Sequence, residues 1–154
     1  MNLDAPDSVI VQKPSLSSLG LQTSLYYNAF LSLLFVTVAG ACAVQKAVVY
    51  HRYVPATAIG LYFIVEPVRL TFGFSGNLKE KVPDLATYLL MSVFPQLPLV
   101  IYLAYLQSVK FPVDSIVGSI MLIFLVLQIY YGVRTMQRLI RMQTSQFMRL
   151  CDET

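Results

Sequence analysis

Four long stretches of the chain are apolar almost without interruption, and short polar segments separate them. An α-helix rises about 1.5 Å per residue, so roughly 20 apolar residues are needed to cross a hydrocarbon core of about 30 Å. The stretches are long enough, and they predict transmembrane helices over residues 25–45, 54–74, 85–107 and 113–133. The pattern therefore predicts an all-α, multi-pass membrane protein whose four-helix transmembrane domain covers residues 25–133.

A soluble helical bundle is the main alternative to this prediction. A helix at the surface of a soluble bundle has one apolar face and one polar face. The run from Ser115 to Leu127 has no polar face. In addition, charged residues make up 12% of the chain, whereas a soluble domain carries about 25%. We therefore expect most of the surface to face lipid.

The distribution of Lys and Arg predicts the orientation of the chain, because cytoplasmic segments retain the excess of basic residues. With four spans, the two termini and the middle loop share one side of the membrane. The basic residues on that side are Lys13, Lys79, Lys81, Arg134, Arg138, Arg141 and Arg149, and those on the other side are Lys46, Arg52 and Lys110. Both termini are therefore predicted to be cytoplasmic, with residues 1–24 as a short N-terminal segment and residues 134–154 as a basic C-terminal helix or tail.

Two charged residues fall inside the second predicted span. Only 13 uncharged residues separate Arg52 from Glu66, which is too few to cross the bilayer, so Glu66 and Arg69 must enter the membrane. Their i, i+3 spacing places them on one helix face, where they can form an ion pair. A structural pair, with Arg69 reaching toward the cytoplasmic interface, is favoured over an ion or proton relay, because most transport pathways need further ionisable groups. The amide side chains that the other three spans offer at similar depth are Asn28, Gln96 and Gln128.

Three prolines lie in the interior of the predicted spans, away from their first turns: Pro67 in the second and Pro95 and Pro98 in the third. Proline has no amide hydrogen and removes one helical hydrogen bond, so each of them predicts a kink. Broken helices can mark transporter sites. Kinked packing without transport is the preferred interpretation.

The segment between the second and third spans is typical of a tight helical connector. Gly73, Gly76 and Asn77 tolerate positive φ and predict the end of a helix, while Pro83 suits the first turn of the next one. The connector is completed by Leu78, Lys79, Glu80, Lys81 and Val82.

Basic residues also continue at helical spacing beyond the last span, at Arg134, Arg138 and Arg141. This stripe can contact anionic headgroups or can serve only to fix the orientation, and both interpretations stay open. The sequence offers no plausible set of nucleophile, general base and orienting group. We therefore expect no enzymatic activity and no cofactor, and the net charge of +3 does not indicate nucleic-acid binding.

Three sequence elements go beyond a generic membrane protein. The first, SSLGLQTSLYYN over residues 17–28, leads into the first span. The second begins with Glu66-Pro67-Val68-Arg69-Leu70 and continues through Gly73 to GNLKEKVPDL over residues 76–85, and the third is QLPL over residues 96–99. Together they resemble the transmembrane protein 17 family, multi-pass proteins of the ciliary transition zone. Gly-Asn-Leu is shared with the related transmembrane proteins 80 and 216, and the Glu-Lys-Val-Pro that follows looks specific to the first family.

This resemblance implies a non-enzymatic membrane scaffold in the Meckel-syndrome module of the ciliary transition zone. Such proteins contribute to the diffusion barrier at the cilium base, to ciliogenesis and to Hedgehog signalling. The implied partners are meckelin, the tectonics and related four-helix members, beside the lipid bilayer itself, and homo-oligomerisation is left open. The alternative from the residues alone is a small transporter or channel subunit that uses Glu66 and Arg69.

Overall fold

The computed structural model describes residues 17–152 of the chain. This part forms four long helices, and no strand occurs in it. We label them α1 (Leu19–Tyr50), α2 (Val54–Leu78), α3 (Val82–Leu106) and α4 (Pro112–Asp152). All four are long and apolar enough to cross a bilayer, which confirms the predicted all-α, four-helix membrane protein.

The helices extend beyond the predicted spans at both ends of the chain. α1 begins at Leu19, where the hydroxyl of Ser18 accepts a hydrogen bond from the amide of Leu21 at 3.4 Å. The predicted N-terminal segment is therefore partly helical, and its residues 1–16 lie outside the described residues. The predicted C-terminal segment, a helix or a tail, is helical through Asp152, because α4 continues through it as one helix of 41 residues.

The third span consists of helical segments that meet at a kink. Its segments are α-helical Val82–Met91, π-helical Ser92–Gln96, α-helical Leu97–Ile101 and π-helical Tyr102–Leu106. The break falls at Phe94, whose φ of −144° and ψ of 96° are extended, because a residue that precedes proline is disfavoured in the helical region.

The three predicted proline kinks have different outcomes. Pro95 follows the break at Phe94. Pro98 makes no second break, because it lies in the first turn of Leu97–Ile101, where proline is tolerated. α2 remains helical through Pro67, and the predicted kink at this proline stays a prediction.

The predicted role of the glycines in the connector is also corrected. α2 does not end at Gly73 but continues to Leu78, and no described glycine has positive φ. A Cβ on Gly73 would lie 2.9 Å from Cδ2 of Tyr88, and one on Gly76 would lie 2.7 Å from the backbone nitrogen of Leu85. These glycines therefore allow α2 and α3 to approach closely, and the left-handed residue of the connector is Glu80, with φ of 52°.

Within the described part of the chain, the interior of the bundle contains two apolar clusters at different heights. The cluster nearer the α1–α2 turn consists of Phe35, Ala39, Tyr62, Val100, Leu103, Met121 and Leu125. The cluster nearer the α2–α3 connector consists of Leu21, Leu25, Leu85, Tyr88, Leu89 and Leu139. Each cluster draws on at least three helices, so together they fix the packing of the bundle over most of its length.

Candidate functional site

The two charged residues of the second helix form a pair inside the bundle. Glu66 is 3% exposed and Arg69 is 0% exposed. The guanidinium donates from Nε to Oε2 at 2.9 Å and from Nη2 to Oε1 at 2.8 Å. This is the two-pronged geometry in which arginine binds a carboxylate most strongly. Arg69 does not reach toward the membrane interface, so that part of the prediction is wrong: its guanidinium is held within the bundle.

Side chains from two other helices complete the coordination of the Glu66 carboxylate. Asn28 of α1 donates from Nδ2 to Oε1 at 2.5 Å, and Gln96 of α3 donates from Nε2 to Oε2 at 2.8 Å. The carboxylate thus accepts four hydrogen bonds. Because an unpaired charge in hydrocarbon costs several kcal/mol, these bonds stabilise the ionised form of the pair at this depth.

The remaining donors of Arg69 bind the third and fourth helices. Its Nη1 donates to Oε1 of Gln128 at 2.8 Å and to Oγ of Ser92 at 3.2 Å. Tyr88 donates from its hydroxyl to the same Gln128 oxygen at 3.3 Å, and its ring centroid lies 5.5 Å from Cζ of Arg69. We call the set Asn28, Glu66, Arg69, Ser92, Gln96 and Gln128 the polar network. Every helix of the bundle contributes to it.

The polar network lies between the two apolar clusters. On α1, Asn28 separates Leu25 of one cluster from Phe35 of the other, and on α4, Gln128 separates Leu125 from Leu139. Glu66 is twelve residues from the start of α2 at Val54, which corresponds to about 18 Å along the helix. The network is therefore a polar layer near the middle of the predicted membrane span, closed above and below by apolar packing.

The break in α3 positions two members of this layer. Ser92 and Gln96 are the first and last residues of the π-helical segment that contains Phe94 and Pro95. The kink at Phe94 therefore lies between Ser92, which binds Arg69, and Gln96, which binds Glu66.

The chemistry available to the polar network is that of a neutralised pair. Among its described buried atoms, those without a hydrogen-bond partner are Oδ1 of Asn28 and Oε1 of Gln96, and the nearby hydroxyl of Tyr62 is also unpartnered. These atoms are amide and hydroxyl oxygens, which carry no formal charge. Across the described residues, no group of three or more His, Cys, Asp and Glu side chains is arranged to hold a metal ion.

A second buried ion pair, which the sequence interpretation missed, closes the bundle near the α1–α2 turn. Nζ of Lys46 donates to Asp114 and to Oε1 of Gln107, the latter at 2.6 Å, and lies 4.9 Å from the ring centroid of Phe111. Lys46 is 1% exposed, so it belongs to the bundle and not to a loop. The available signal was that Lys46 and Asp114 carry opposite charges at the same predicted membrane surface.

The connector motif lies at the opposite end and is distinct from the polar network. Asn77 accepts a hydrogen bond from the amide of Ser18 at 2.9 Å and donates to the Ser18 carbonyl at 3.1 Å and to Gln22 at 3.0 Å. It thereby ties the end of α2 to the start of α1. Leu78, Lys79 and Lys81 are exposed, Glu80 is half-buried, and Val82 and Pro83 form the first turn of α3.

The arginines of the basic stripe on α4 also lie outside the polar network. Arg134, Arg138 and Arg141 are exposed on α4. Cζ of Arg134 lies 4.9 Å from the ring centroid of Tyr130. The structure thus unites Glu66 and Arg69 with the amides of the other spans, and it leaves the connector and the basic stripe as separate surfaces.

Comparison with known proteins gives a consistent family. A family model described as a predicted membrane protein, Transmemb_17, matches residues 23–125. Transmembrane protein 17 of Bos taurus is 32% identical over 148 residues, which cover 94% of this chain and 72% of that protein. Transmembrane protein 17 of Rattus norvegicus is 33% identical over 135 residues, which cover 85% of this chain and 68% of that protein.

A third relative extends this agreement to amphibians. Transmembrane protein 17A of Xenopus tropicalis is 33% identical over 140 residues, covering 88% of this chain and 74% of the relative. No solved structure matches the chain. The family model covers well over half of the chain, and these relatives align along most of their own length. The chain therefore belongs to the transmembrane protein 17 family.

Proposed function

We propose that this protein is a non-enzymatic membrane scaffold of the ciliary transition zone, within the Meckel-syndrome module. In this role it contributes to the diffusion barrier at the cilium base, to ciliogenesis and to Hedgehog signalling. Its partners would be meckelin, the tectonics and related four-helix proteins. Membership of the transmembrane protein 17 family supports this proposal, since the role is the one that its resemblance to that family implies.

The observation that carries the proposal is the internal pairing of the charges that lie deep in the bundle. Glu66 binds Arg69, and Lys46 binds Asp114. A relay needs an ionisable group that can exchange its ion or proton, whereas these groups hold helices together. Their pairing favours a structural role for the membrane interior.

The outer surface of the bundle offers what a lateral scaffold needs. Large apolar side chains are exposed along the outer faces of the helices, among them Phe30, Leu33, Leu34, Phe63, Ile64, Ile116 and Ile123. Lipid chains or the helices of partner proteins can cover such faces by close packing. The scaffold would therefore assemble with its partners through surfaces that do not disturb the polar network.

The cytoplasmic location of both termini is part of the same proposal. Lys46 is buried and paired, so the α1–α2 end presents Arg52 and Lys110 as its basic residues. The connector and the end of α4 present Lys79, Lys81, Arg134, Arg138 and Arg141. This asymmetry agrees with the retention of basic residues in the cytoplasm.

The test is the position of the endogenous protein, tagged at its C-terminus, in ciliated cells. We expect the tag to concentrate at the ciliary base. A promiscuous biotin ligase fused to the C-terminus should label meckelin and the tectonics. A matched control is the same ligase on an unrelated four-helix protein of the plasma membrane. An even distribution over the cell membrane, with labelling equal to that of the control, would refute the proposal.

A further inference from the structure

One exposed face of α4 changes from apolar to basic along its length. Successive positions three and four residues apart carry Ile116, Ile120, Ile123, Leu127, Tyr130, Arg134, Gln137 and Arg141, a spacing that keeps them on one side of a helix. All of these side chains are exposed. The face is thus aliphatic over its first part, aromatic at Tyr130 and polar or basic beyond it.

The change of character falls where the hydrocarbon should end. From Val113 to Arg134, α4 rises about 31 Å, close to the roughly 30 Å thickness of the core. Tyrosine prefers the boundary between hydrocarbon and headgroups. Arg134 therefore stands at the level of the lipid phosphates, and Arg141 stands about 10 Å further from the bilayer centre.

The basic side chains of this face border one open space. Arg134, Gln137, Arg138 and Arg141, on successive turns of α4, surround it. Arg134 is stacked on Tyr130, with 4.9 Å between Cζ and the ring centroid, which restricts its side chain. Guanidinium groups suit phosphate because their planar fork can bind two of its oxygens at once.

A second copy of the chain is a poor occupant for this face. Copies inserted in the same orientation would pair their α4 helices in parallel, so Arg134 and Arg141 would face their own counterparts. Like charges opposed in this way destabilise a helix pair. The combination of aliphatic and arginine residues instead complements a molecule with acyl chains and a negatively charged headgroup.

We propose that this face binds an anionic phospholipid whose headgroup carries more than one phosphate. Its acyl chain lies along Ile120, Ile123 and Leu127. Its diester phosphate binds Arg134, and its outer phosphates reach Arg138 and Arg141. A headgroup with only the diester phosphate would not span the distance of about 10 Å between Arg134 and Arg141. The site rests on the membrane location of the chain and does not depend on a ciliary role.

The test uses the purified full-length protein in nanodiscs of phosphatidylcholine that contain a small fraction of one probe lipid. The probes are phosphatidylinositol bisphosphate and phosphatidylserine, and the amount of each that co-purifies after extraction into detergent is measured by mass spectrometry. Nanodiscs expose both leaflets, so the result does not depend on orientation. We expect enrichment of the bisphosphate lipid over phosphatidylserine.

Three variants separate a built site from net charge. R134Q/R138Q/R141Q should bind the bisphosphate lipid roughly a hundredfold more weakly, since each of the three basic residues near an anionic surface changes binding by about fivefold. R52Q/K79Q/K81Q removes the same charge from other exposed positions and should retain the lipid. R134K/R138K/R141K keeps the charge without the planar fork and should retain an intermediate amount.

Several outcomes would overturn this site. They are equal retention of the two lipids by the wild type, equal retention by the wild type and the R134Q/R138Q/R141Q variant, and an equal loss in R52Q/K79Q/K81Q. The site would also be contradicted if soluble inositol phosphate displaced the bound bisphosphate lipid as effectively as added bisphosphate lipid does, because the acyl chain would then contribute nothing. Circular dichroism of each variant establishes that its helices remain formed.

Discussion

The carboxylate of Glu66 accepts hydrogen bonds from side chains of α1, α2 and α3. The guanidinium of Arg69 donates to Gln128 and so binds α4 as well. Each member of the pair would be costly alone at this depth, whereas together they form a neutral unit. Because their partners are amides and a hydroxyl on separate helices, the pair also specifies how those helices are rotated. At the residue scale, the charges determine a particular packing.

Substitutions at this pair should be strongly coupled. E66Q leaves the buried Arg69 charge without a counter-charge, and R69Q leaves the Glu66 carboxylate likewise, so each should destabilise the bundle by about 3–5 kcal/mol. E66Q/R69Q should cost less than the sum of the two, with a coupling energy of about 1–3 kcal/mol. Unfolding of purified protein in mixed micelles, followed by circular dichroism, measures the three values.

The exposed Lys79 provides the control for this cycle. K79Q should change stability by no more than about 0.5 kcal/mol, as is usual for surface positions. Additive effects of E66Q and R69Q would show that the two side chains act independently and would contradict the pairing.

At the element scale, the contact between α2 and α3 depends on residues without side chains. Gly76 lies against the backbone of Leu85, and Gly73 lies against the ring of Tyr88. The short connector can reverse the chain here because the two helices approach closely immediately beside it. Asn77, one residue after Gly76, secures the same end of the bundle through its hydrogen bonds to α1.

Substitution by alanine should lower the stability of the bundle at Gly76 but not at Gly60. G76A places a Cβ at 2.7 Å from a backbone nitrogen, so the helices must move apart and the unfolding midpoint in detergent should fall. G60A adds a Cβ where nothing lies within 4 Å, so the midpoint should stay or rise, because alanine favours helix over glycine by about 1 kcal/mol. Equal midpoints for the two variants would show that the close approach at Gly76 is not needed.

The helices themselves could be predicted from the sequence, whereas several of their ends could not. Length and hydropathy located all four spans, since hydrocarbon imposes the same requirement on each. The glycines at 73 and 76 were interpreted as helix ends because glycine suits a positive φ as well as a close contact, and only the position of α3 distinguishes the two. Similarly, Pro98 makes no break of its own, because it lies in the first turn of the helical segment that follows the break at Phe94.

The site was also predictable in part. The i, i+3 spacing indicated that Glu66 and Arg69 would pair. Which of Asn28, Gln96 and Gln128 would reach them depends on the rotation of three other helices, and no local pattern encodes that rotation. Lys46 was counted among the basic residues beyond the first predicted span, and its buried partner Asp114 is 68 residues away in sequence.

At the scale of the whole molecule, the bundle has a polar layer at mid-height, apolar clusters on both sides of it and a long α4 that leaves the bundle. Residues 141–148 of α4 are all exposed, so this helix projects beyond the packed region. The connector and the projecting end of α4 lie at the same end of the molecule. In the proposed topology, this end faces the cytoplasm.

Chemical labelling can test that topology. Two variants are made in a C42S/C151S background. R52C places a single thiol at the α1–α2 end of the bundle, and K79C places one at the opposite end. Both positions are exposed. A membrane-impermeant maleimide should label R52C in intact cells and should label K79C only after permeabilisation. Labelling of K79C in intact cells would place the connector outside and would reverse the proposed orientation.

The central claim is that the intramembrane charges hold the bundle together and conduct nothing. The most direct measurement is the flux of Na⁺, K⁺ and H⁺ into liposomes that contain the purified protein. The account predicts rates equal to those of protein-free liposomes, for the wild type and for E66Q/R69Q alike. A selective flux through the wild type that disappears in the folded E66Q/R69Q variant would contradict it.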